Sequence, residues 1–432
     1  PHPASSQSLP EDAALDFLRR LKTPCHLLVA YSGGGDSTAL LVALAERIAA
    51  GALPVRLSAA TVDHGLRPEA TEEARAAGHL CRRLGVAHEV LRWEGDKPSS
   101  GLQAAARAAR YRLLAAHAKA IGVDLVVAGH TLDDQYETLA MRQARNPQSL
   151  GGMSALTLYN RDVWIARPLL GVSRNSLRTF LGDRGVGWVD DPSNDNEVFE
   201  RVRVRKASPG DATFIDFAAL NAARHQRLAA GAQLLATHAK IYSTRVGVMD
   251  LAAFPEPDEQ LVDAIVHLVA CIGGRSHLAG REGRARISHY LQSGEGRLAI
   301  ERVVLDRRGH RLFLVRERRL LPEGVVAAGE TIVWDNRFRV VNEGKQSVTI
   351  AVRRPDVVSE PLLAPLLADL PNGVRQRAAA SEPVLVGDGG GQLRWTPILA
   401  NFDQFLPIEA FDIANVLAKA LGLDQFPLPP LR

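Results

Sequence analysis

Cysteine is nearly absent: Cys25, Cys81 and Cys271 are the only three in a chain of 432 residues. None forms a CxxC pair. That argues against a disulfide framework and against a zinc or iron–sulfur site built from cysteines, and it makes a reducing cytoplasm the default expectation. No run of about 18 apolar residues occurs, so no membrane span is expected. The opening residues, PHPASSQSLPEDAALDF, lack a basic segment followed by an apolar one and do not read as a secretory signal. An excess of either charge is lacking as well. The net +4 and pI near 9.1 permit an anionic partner such as RNA without requiring one.

What is present is a chain long enough for two or three domains, with 46% hydrophobic residues to build their cores. From Cys25 to about Gly187 strands and helices alternate. Strands are expected over Cys25–Tyr31, Val55–Val62, His88–Trp93 and Asp124–Ala128. Helices are expected over Ser37–Ala50, Glu69–Leu84, Gly101–Ala120 and Thr131–Arg142. This alternation predicts an α/β fold with a doubly wound parallel sheet. Past Lys206 the pattern changes. Ala218–His238 and Asp258–Ile272 look helical, and from Arg297 short β-like runs take over, among them LAIERVVL, RLFLVRERR, TIVWDNRFRVV and SVTIAVRR. Ala378–Gln392 is expected as loop, and Ile408–Leu421 as a last helix. Boundaries are expected at 1–210, 211–300 and 301–432.

A second absence is a lysine. In LVAYSGGGDSTALL, Leu28–Leu41, an apolar strand runs into Ser32-Gly33-Gly34-Gly35-Asp36-Ser37 and then a helix. Such a turn points backbone N–H groups at the space above a helix N-terminus, which suits phosphate. The Walker pattern GxxxxGK[ST] is missing, and Asp36 stands where a lysine would help. A carboxylate ~4 Å from a phosphate charge costs ~4 kcal/mol at an effective dielectric near 20. The helix N-terminus returns only ~0.3–1 kcal/mol. A divalent cation between the two reverses the sign, so Asp36 is a candidate Mg²⁺ ligand. The bland alternative is that Asp36 and Ser37 cap a helix.

The Gly-rich turn SGGGDS after a strand resembles the signature of the ATP pyrophosphatase (PP-loop) enzymes. That resemblance implies cleavage of ATP to AMP and pyrophosphate, with a carbonyl oxygen activated as an adenylate.

A second cluster, GHTLDDQYETLAMR, follows the fourth strand. Thr131 is a candidate N-cap, with Asp134 three residues on. Helical spacing brings Asp133, Asp134 and Glu137 near one another at the carboxyl edge of the sheet, where ligands bind in such folds. The alternative is a capped, solvated acidic first turn. DHGLRPEATEEA follows the second strand, where an adenosine could lie against Asp63 and His64. AARAARY sets Arg107 and Arg110 three apart on a helix, with a solvated basic face as the alternative. In DDPSNDNEVFERVRVRK, Arg201, Arg203 and Arg205 alternate with Val. An extended segment would present all three on one side toward a phosphate backbone, unless it is a plain edge strand.

Taken in order, SGGGDS, VDHGLRP, ARAARY, GHTLDDQYET, RPLL and WVDDPSNDNEVFERVRVR resemble the bacterial tRNA(Ile)-lysidine synthetases over about residues 25–206. The helical middle and β-containing end are similar to the longer members. The resemblance implies that ATP, with Mg²⁺ held by Asp36 and Asp134, adenylates the 2-carbonyl oxygen of the wobble cytidine in the CAU-anticodon isoleucine tRNA. The side-chain amine of free lysine then displaces AMP. Ser32, Gly33, Gly34, Gly35, Asp36, Ser37, Asp63 and His64 would bind the nucleotide. Free lysine has an amine pKa of ~10.4, so only ~1 molecule in 2,500 is an active nucleophile at pH 7. Asp133, Asp134 and Glu137, assisted by His130, would bind the ammonium and take its proton, and metal ligand is not separable from base among them. Arg110 and Arg205 would contact the activated nucleotide or phosphate. The last domain would read the acceptor arm, and a homodimer is compatible with the family.

Two stretches depart from the family pattern. MRQARNPQSLGGMSAL carries Arg145-Asn146-Pro147 where a Gly-containing loop is usual, and KASPGDATF follows the last arginine. Three rivals remain open. A thiolating tRNA enzyme of the same fold would want paired cysteines. A small-molecule amidating ligase would want no basic RVRVRK run. A catalytically dead RNA-binding scaffold would bind tRNA without releasing AMP.

Overall fold

The computed structural model describes residues 8–51, 53–65, 70–145, 151–189, 203–204, 215–294, 296–353, 370–386 and 392–432. The chain forms two compact units, Pro1–Ala222 with Pro427–Arg432, and Ala223–Phe426. No helix among the described residues is long and apolar enough to cross a membrane.

In the first unit the order is α1 (Pro10–Arg19), β1 (Cys25–Ala30), α2 (Gly35–Gly51), β2 (Val55–Asp63), α3 (Ala70–Arg83), β3 (Ala87–Arg92), α4 (Leu102–Ala120), β4 (Leu125–Val127), α5 (Leu132–Arg145), β5 (Leu156–Tyr159), β6 (Val163–Ala166) and α6 (Arg174–Gly182). Within this unit the strands lie in the order β5-β6-β4-β1-β2-β3. The β3-β2-β1-β4-β6 pairs are parallel, and only β5 runs antiparallel to its neighbour. The expected doubly wound sheet is therefore present. Strand β1 sits at its centre, with Leu27 in register with Leu57 on one side and Leu125 on the other. Leu27, Leu28 and Val29 are fully buried. Each such side chain contributes ~1.5–3 kcal/mol of transfer free energy, which is why a continuous apolar run rather than an alternating one marks this strand.

The order of strands determines the location of the crevice. From β1 the chain winds to β2 and β3 on one side, then returns to β4 on the other. The reversal lies between β1 and β4, and in open α/β sheets the ligand crevice opens at the carboxyl ends of the strands flanking such a reversal.

Four elements of this unit were not expected. Helix α1 carries Pro at its start and Glu11 and Asp12 in its first turn, both favourable at a helix N-terminus. The β5–β6 hairpin turns through Asn160 and Arg161, both at positive φ. Without glycine there, the short strands leave only a weak signal. Helix α6 is capped by Ser173, whose side chain accepts the Ser176 N–H. The C-terminal residues also return to this unit, where Trp164 Nε1 donates to the Pro427 carbonyl at 3.1 Å.

The second unit contains most of the helix Phe217–His238, the helices Glu259–Gly273 and Arg281–Ser293, and a sheet of β7 (Ala239–Tyr242), β8 (Val246–Asp250), β9 (Arg297–Ile300), β10 (Val303–Arg308) and β11 (Arg311–Arg316). The sheet order is β7-β8-β11-β10-β9, antiparallel throughout. The stretch 211–300 is thus not helical alone. The β7–β8 hairpin turns at Ser243 and Thr244, and LAIERVVL splits into two strands at Glu301 and Arg302, all four at positive φ. Two three-stranded sheets follow, one of β12 (Gly324–Val326), β15 (Val348–Val352) and β16 (Pro383–Val386), the other of β13 (Thr331–Trp334), β14 (Phe338–Asn342) and β17 (Leu393–Pro397). Val326, Trp334, Phe338, Val340 and Ile350 form a core there.

The expected loop over Ala378–Gln392 is corrected. Its first residues end the helix Asn372–Ala380, and Pro383–Val386 pairs with β15. Small residues mark neither loop nor strand until a partner strand covers them. The expected last helix begins as a 3₁₀ turn, Ile408–Ala410, and becomes α-helical over Phe411–Ala420.

Candidate active site

The turn after β1 is held by its own hydroxyls. Ser37 donates to the Gly34 carbonyl at 3.0 Å and accepts the Ser32 N–H at 3.2 Å, and the two serine hydroxyls share a 3.0 Å hydrogen bond. Thr38 Oγ1 donates to the Gly33 carbonyl at 3.3 Å. Gly33 has φ +80°, which L side chains rarely adopt. The Val189 N–H donates to the Gly33 carbonyl at 3.0 Å, and a Cβ on Gly35 would stand 3.4 Å from the Trp188 ring. Ser37 therefore ties the turn together, and the segment bearing Trp188 lies along it.

The end of β4 meets the same turn. A Cβ on Gly129 would lie 2.8 Å from the Asp36 carbonyl oxygen, so only glycine permits this approach. Two residues on, Thr131 and Asp134 form a reciprocal cap. Asp134 Oδ2 accepts from the Thr131 N–H at 2.7 Å and its hydroxyl at 3.1 Å, while Thr131 Oγ1 accepts the Asp134 N–H at 3.3 Å. Asp134 and Glu137 are buried, so the alternative of a solvated acidic turn does not hold.

Buried carboxylates in proximity require a cation, and the chain supplies one that the sequence reading missed. Arg174 Nε donates to Asp36 Oδ2 at 3.2 Å, Nη2 to Asp134 Oδ1 at 3.2 Å and Nη1 to Glu137 Oε1 at 3.5 Å. The Arg174 backbone N–H donates to Asp133 Oδ2 at 2.7 Å. Asp36, Asp133, Asp134 and Glu137 thus meet at one residue, delivered by the parallel strand β6, while Asp63 is held elsewhere. Burial raises the Asp36 pKa; Arg174 opposes this and Asp134 adds to it. Burial alone would lower the Arg174 pKa, but Asp36, Asp134, Glu137 and Asp133 outweigh it and the net shift is upward. No local signal marked Arg174, since the helix it opens was itself not expected.

The carboxyl ends of β1 and β4 also border a mostly apolar cleft. Arg110 and His130 line it with Tyr111, Ala30, Ala128 and Ile165. Arg107 donates to the Tyr111 hydroxyl at 3.1 Å and lies over its ring, so it is not merely solvated. Buried Arg167 donates to the Ser154 carbonyl and to Thr157, each at 2.9 Å. Burial would raise the Tyr111 pKa, yet Arg107, Arg167 and Arg110 bring the net shift down. Asp63 is buried and accepts the Gly65 N–H at 2.8 Å, which bends the chain after β2. His64 packs edge-on against Trp93, and its pKa is lowered by burial and then by Arg110, with Asp63 opposing. Arg201 and Arg205 lie outside the described residues. Arg203 and Val204 are helical, a correction to the extended reading: a short period-2 run fixes no strand without a partner.

Among the described residues no group of three or more His, Cys, Asp or Glu side chains is arranged to enclose a metal. Mg²⁺ needs no such cage, since it is commonly held by one or two carboxylates together with substrate phosphates and waters. Asp36 and Asp134, each reaching the same guanidinium, fit that role.

The family model of the PP-loop domain matches residues 10–208. The tRNA(Ile)-lysidine synthase of Rhizobium meliloti is 40% identical over 446 residues, covering 97% of this chain and 97% of that protein. This chain belongs to the tRNA(Ile)-lysidine synthase family. The synthases of Mesorhizobium japonicum and Brucella melitensis are each 37% identical, covering 94% and 92% of this chain respectively and 94% of each relative. The family expected from the ordered motifs is therefore the one found, and the matches do not favour the rival readings. Family members are carbon–nitrogen ligases, and the PP-loop unit is the part that binds ATP.

Proposed function

We propose that this chain is an ATP-dependent ligase that converts the wobble cytidine of CAU-anticodon isoleucine tRNA to lysidine. The observation that carries this reading is the convergence of the Ser32–Ser37 turn and the carboxylates Asp36, Asp134 and Glu137 at the point where the strand order reverses, in a chain matched along its length to lysidine synthases.

The backbone N–H groups of Gly33–Gly35 and the start of α2 receive the phosphates, while Ser32 and Ser37 fix the shape of that turn. Asp63 and His64 border the nucleoside. Asp36 and Asp134 would hold Mg²⁺, which supplies neutralisation of charge on the pyrophosphate leaving group. In the first step the cytidine 2-carbonyl oxygen forms a bond to the α-phosphorus, and the bond to pyrophosphate breaks. In the second, the lysine amine bonds to C2 and AMP leaves. Making that amine available at pH 7 costs ~4–5 kcal/mol in free solution. Glu137, buried and held by Arg174, binds the ammonium and takes its proton, and His130 assists. Arg110 offers its charge to the activated nucleotide. Asp133 is occupied with the Arg174 N–H and serves to position α6.

Arg205 and the stretches 211–300 and 301–432 are assigned to tRNA contact, the last to the acceptor arm. Free L-lysine is the second substrate, the reducing cytoplasm is the compartment, and a homodimer is the assembly to test. The deciding experiment mixes the protein with ATP, Mg²⁺, labelled lysine and CAU-anticodon isoleucine tRNA. ATP-dependent label in the RNA supports the reading. Bound RNA without label contradicts it and returns the scaffold alternative.

A further inference from the structure

The reaction needs Asp36 and Asp134 for a cation, yet both carboxylates are engaged by Arg174. The three acids Asp36, Asp134 and Glu137 carry one more negative charge than a bound divalent ion cancels, and Arg174 supplies the balance. Arg174 holds Asp36 Oδ2 and Asp134 Oδ1, and Thr131 holds Asp134 Oδ2, so a metal ion that takes these same oxygens competes with the guanidinium for them.

Three features of Arg174 make it the group that turns. Its backbone is fixed, because its N–H is held by Asp133 and Ser173 caps the helix it opens. Its side chain is 18% exposed and that of Asp36 27%, so the pair faces the crevice rather than the core. Its chemistry suits exchange, since a planar guanidinium binds phosphate through two parallel N–H bonds as well as it binds carboxylate. The glycine turn that would receive phosphate includes Asp36 itself, so an incoming phosphate arrives next to this guanidinium.

We infer that Arg174 is a positioning residue that exchanges partners, holding Asp36 and Asp134 while the site is empty and turning to the ATP phosphates when nucleotide binds, so that the two carboxylates become free for the divalent ion only when ATP is present. This rests on the reading that the site takes ATP with a divalent ion. It goes further in making metal and nucleotide binding interdependent through one side chain. Coupling of this kind is reciprocal: ATP tightens the metal by the same factor as the metal tightens ATP.

The test uses the full-length protein, Mn²⁺ followed by electron paramagnetic resonance, and α,β-methylene-ATP, which is not cleaved at the reacting bond. The wild type is expected to bind Mn²⁺ weakly alone and at least about tenfold more tightly with the analogue, within the usual range of coupling between sites. Arg174→Gln is expected to bind Mn²⁺ about tenfold more tightly than wild type without nucleotide, and to lose most of the coupling. Arg174→Lys keeps the charge without the fork. It is expected to keep nucleotide-free Mn²⁺ binding weak while lowering the coupling, and it carries the test if circular dichroism shows that Arg174→Gln is unfolded. Wild-type Mn²⁺ affinities and coupling in both folded variants would overturn the exchange while leaving the ATP reading standing. Failure of the wild type to bind the analogue, with or without Mn²⁺, would overturn both.

Discussion

The Arg174 guanidinium donates to the Asp36 carboxylate at 3.2 Å across 138 positions of sequence. That single contact joins the turn after β1 to the segment after β6, and Asp134 and Glu137 join them from α5. The chemistry assigned to this chain depends on the acids of two strand ends, after β1 and β4, and the arginine of a third, after β6, behaving as one charged unit.

Asp36→Asn removes one negative charge from that unit while keeping the side chain's size. Release of AMP and pyrophosphate is expected to fall about 100-fold or more, as when a preorganised charge is removed from a reacting phosphate. A radiolabelled ATP assay measures it. Unchanged AMP formation would remove Asp36 from any role with metal or phosphate.

The same substitution has a pH signature in stability. The folded-state pKa of Asp36 is raised above 3.8, chiefly by burial. The folded protein therefore holds this proton at pH values where the unfolded chain has lost it. The resulting stability is full below the ordinary carboxylate value and is lost as pH rises through the raised one. The melting temperature of Asp36→Asn relative to wild type should thus climb as pH rises from about 3.8 through the raised value, then level off. A difference that is flat, or that shrinks with rising pH, would contradict this.

Gly129→Ala places a methyl group 2.8 Å from the Asp36 carbonyl, and neither backbone can withdraw without moving a strand end. A loss of ~1–3 kcal/mol is expected, together with loss of ATP cleavage. Gly187→Ala is the control, since a Cβ there meets nothing within 4 Å and the backbone is not left-handed. Chemical denaturation of the two variants separates them.

Thr131→Ala breaks the reciprocal cap of α5 and deprives Asp134 of a donor. The expected cost is ~0.5–2 kcal/mol in denaturant unfolding, and Thr131→Ser should restore most of it. Equal loss in the serine variant would point to packing of the Thr methyl group instead.

The parts of this site that were legible in sequence are those whose signal is local. Three glycines and an aspartate between an apolar run and a helix state the turn after β1. Thr131 and Asp134, three apart, state the cap of α5, and the apolar content of Leu27–Val29 states a strand buried on both faces. Arg174 was not legible, because its partners are chosen by the pairing of β6 with β4, and β6 was itself too short to stand out. The Gly129 approach was hidden for a related reason: a glycine between Ala128 and His130 carries no mark of what will lie 2.8 Å from its missing Cβ. In the second unit the turn at Glu301-Arg302 lacks glycine, so LAIERVVL reads as one run, and the turn at Ser243-Thr244 carries no glycine signal either.

The most direct measurement omits lysine. With ATP, Mg²⁺ and CAU-anticodon isoleucine tRNA alone, rapid quenching should show about one pyrophosphate released per site and AMP retained on the RNA, and added lysine should then release that AMP. AMP freed without lysine, or pyrophosphate formed equally without tRNA, would contradict an adenylated cytidine as the intermediate.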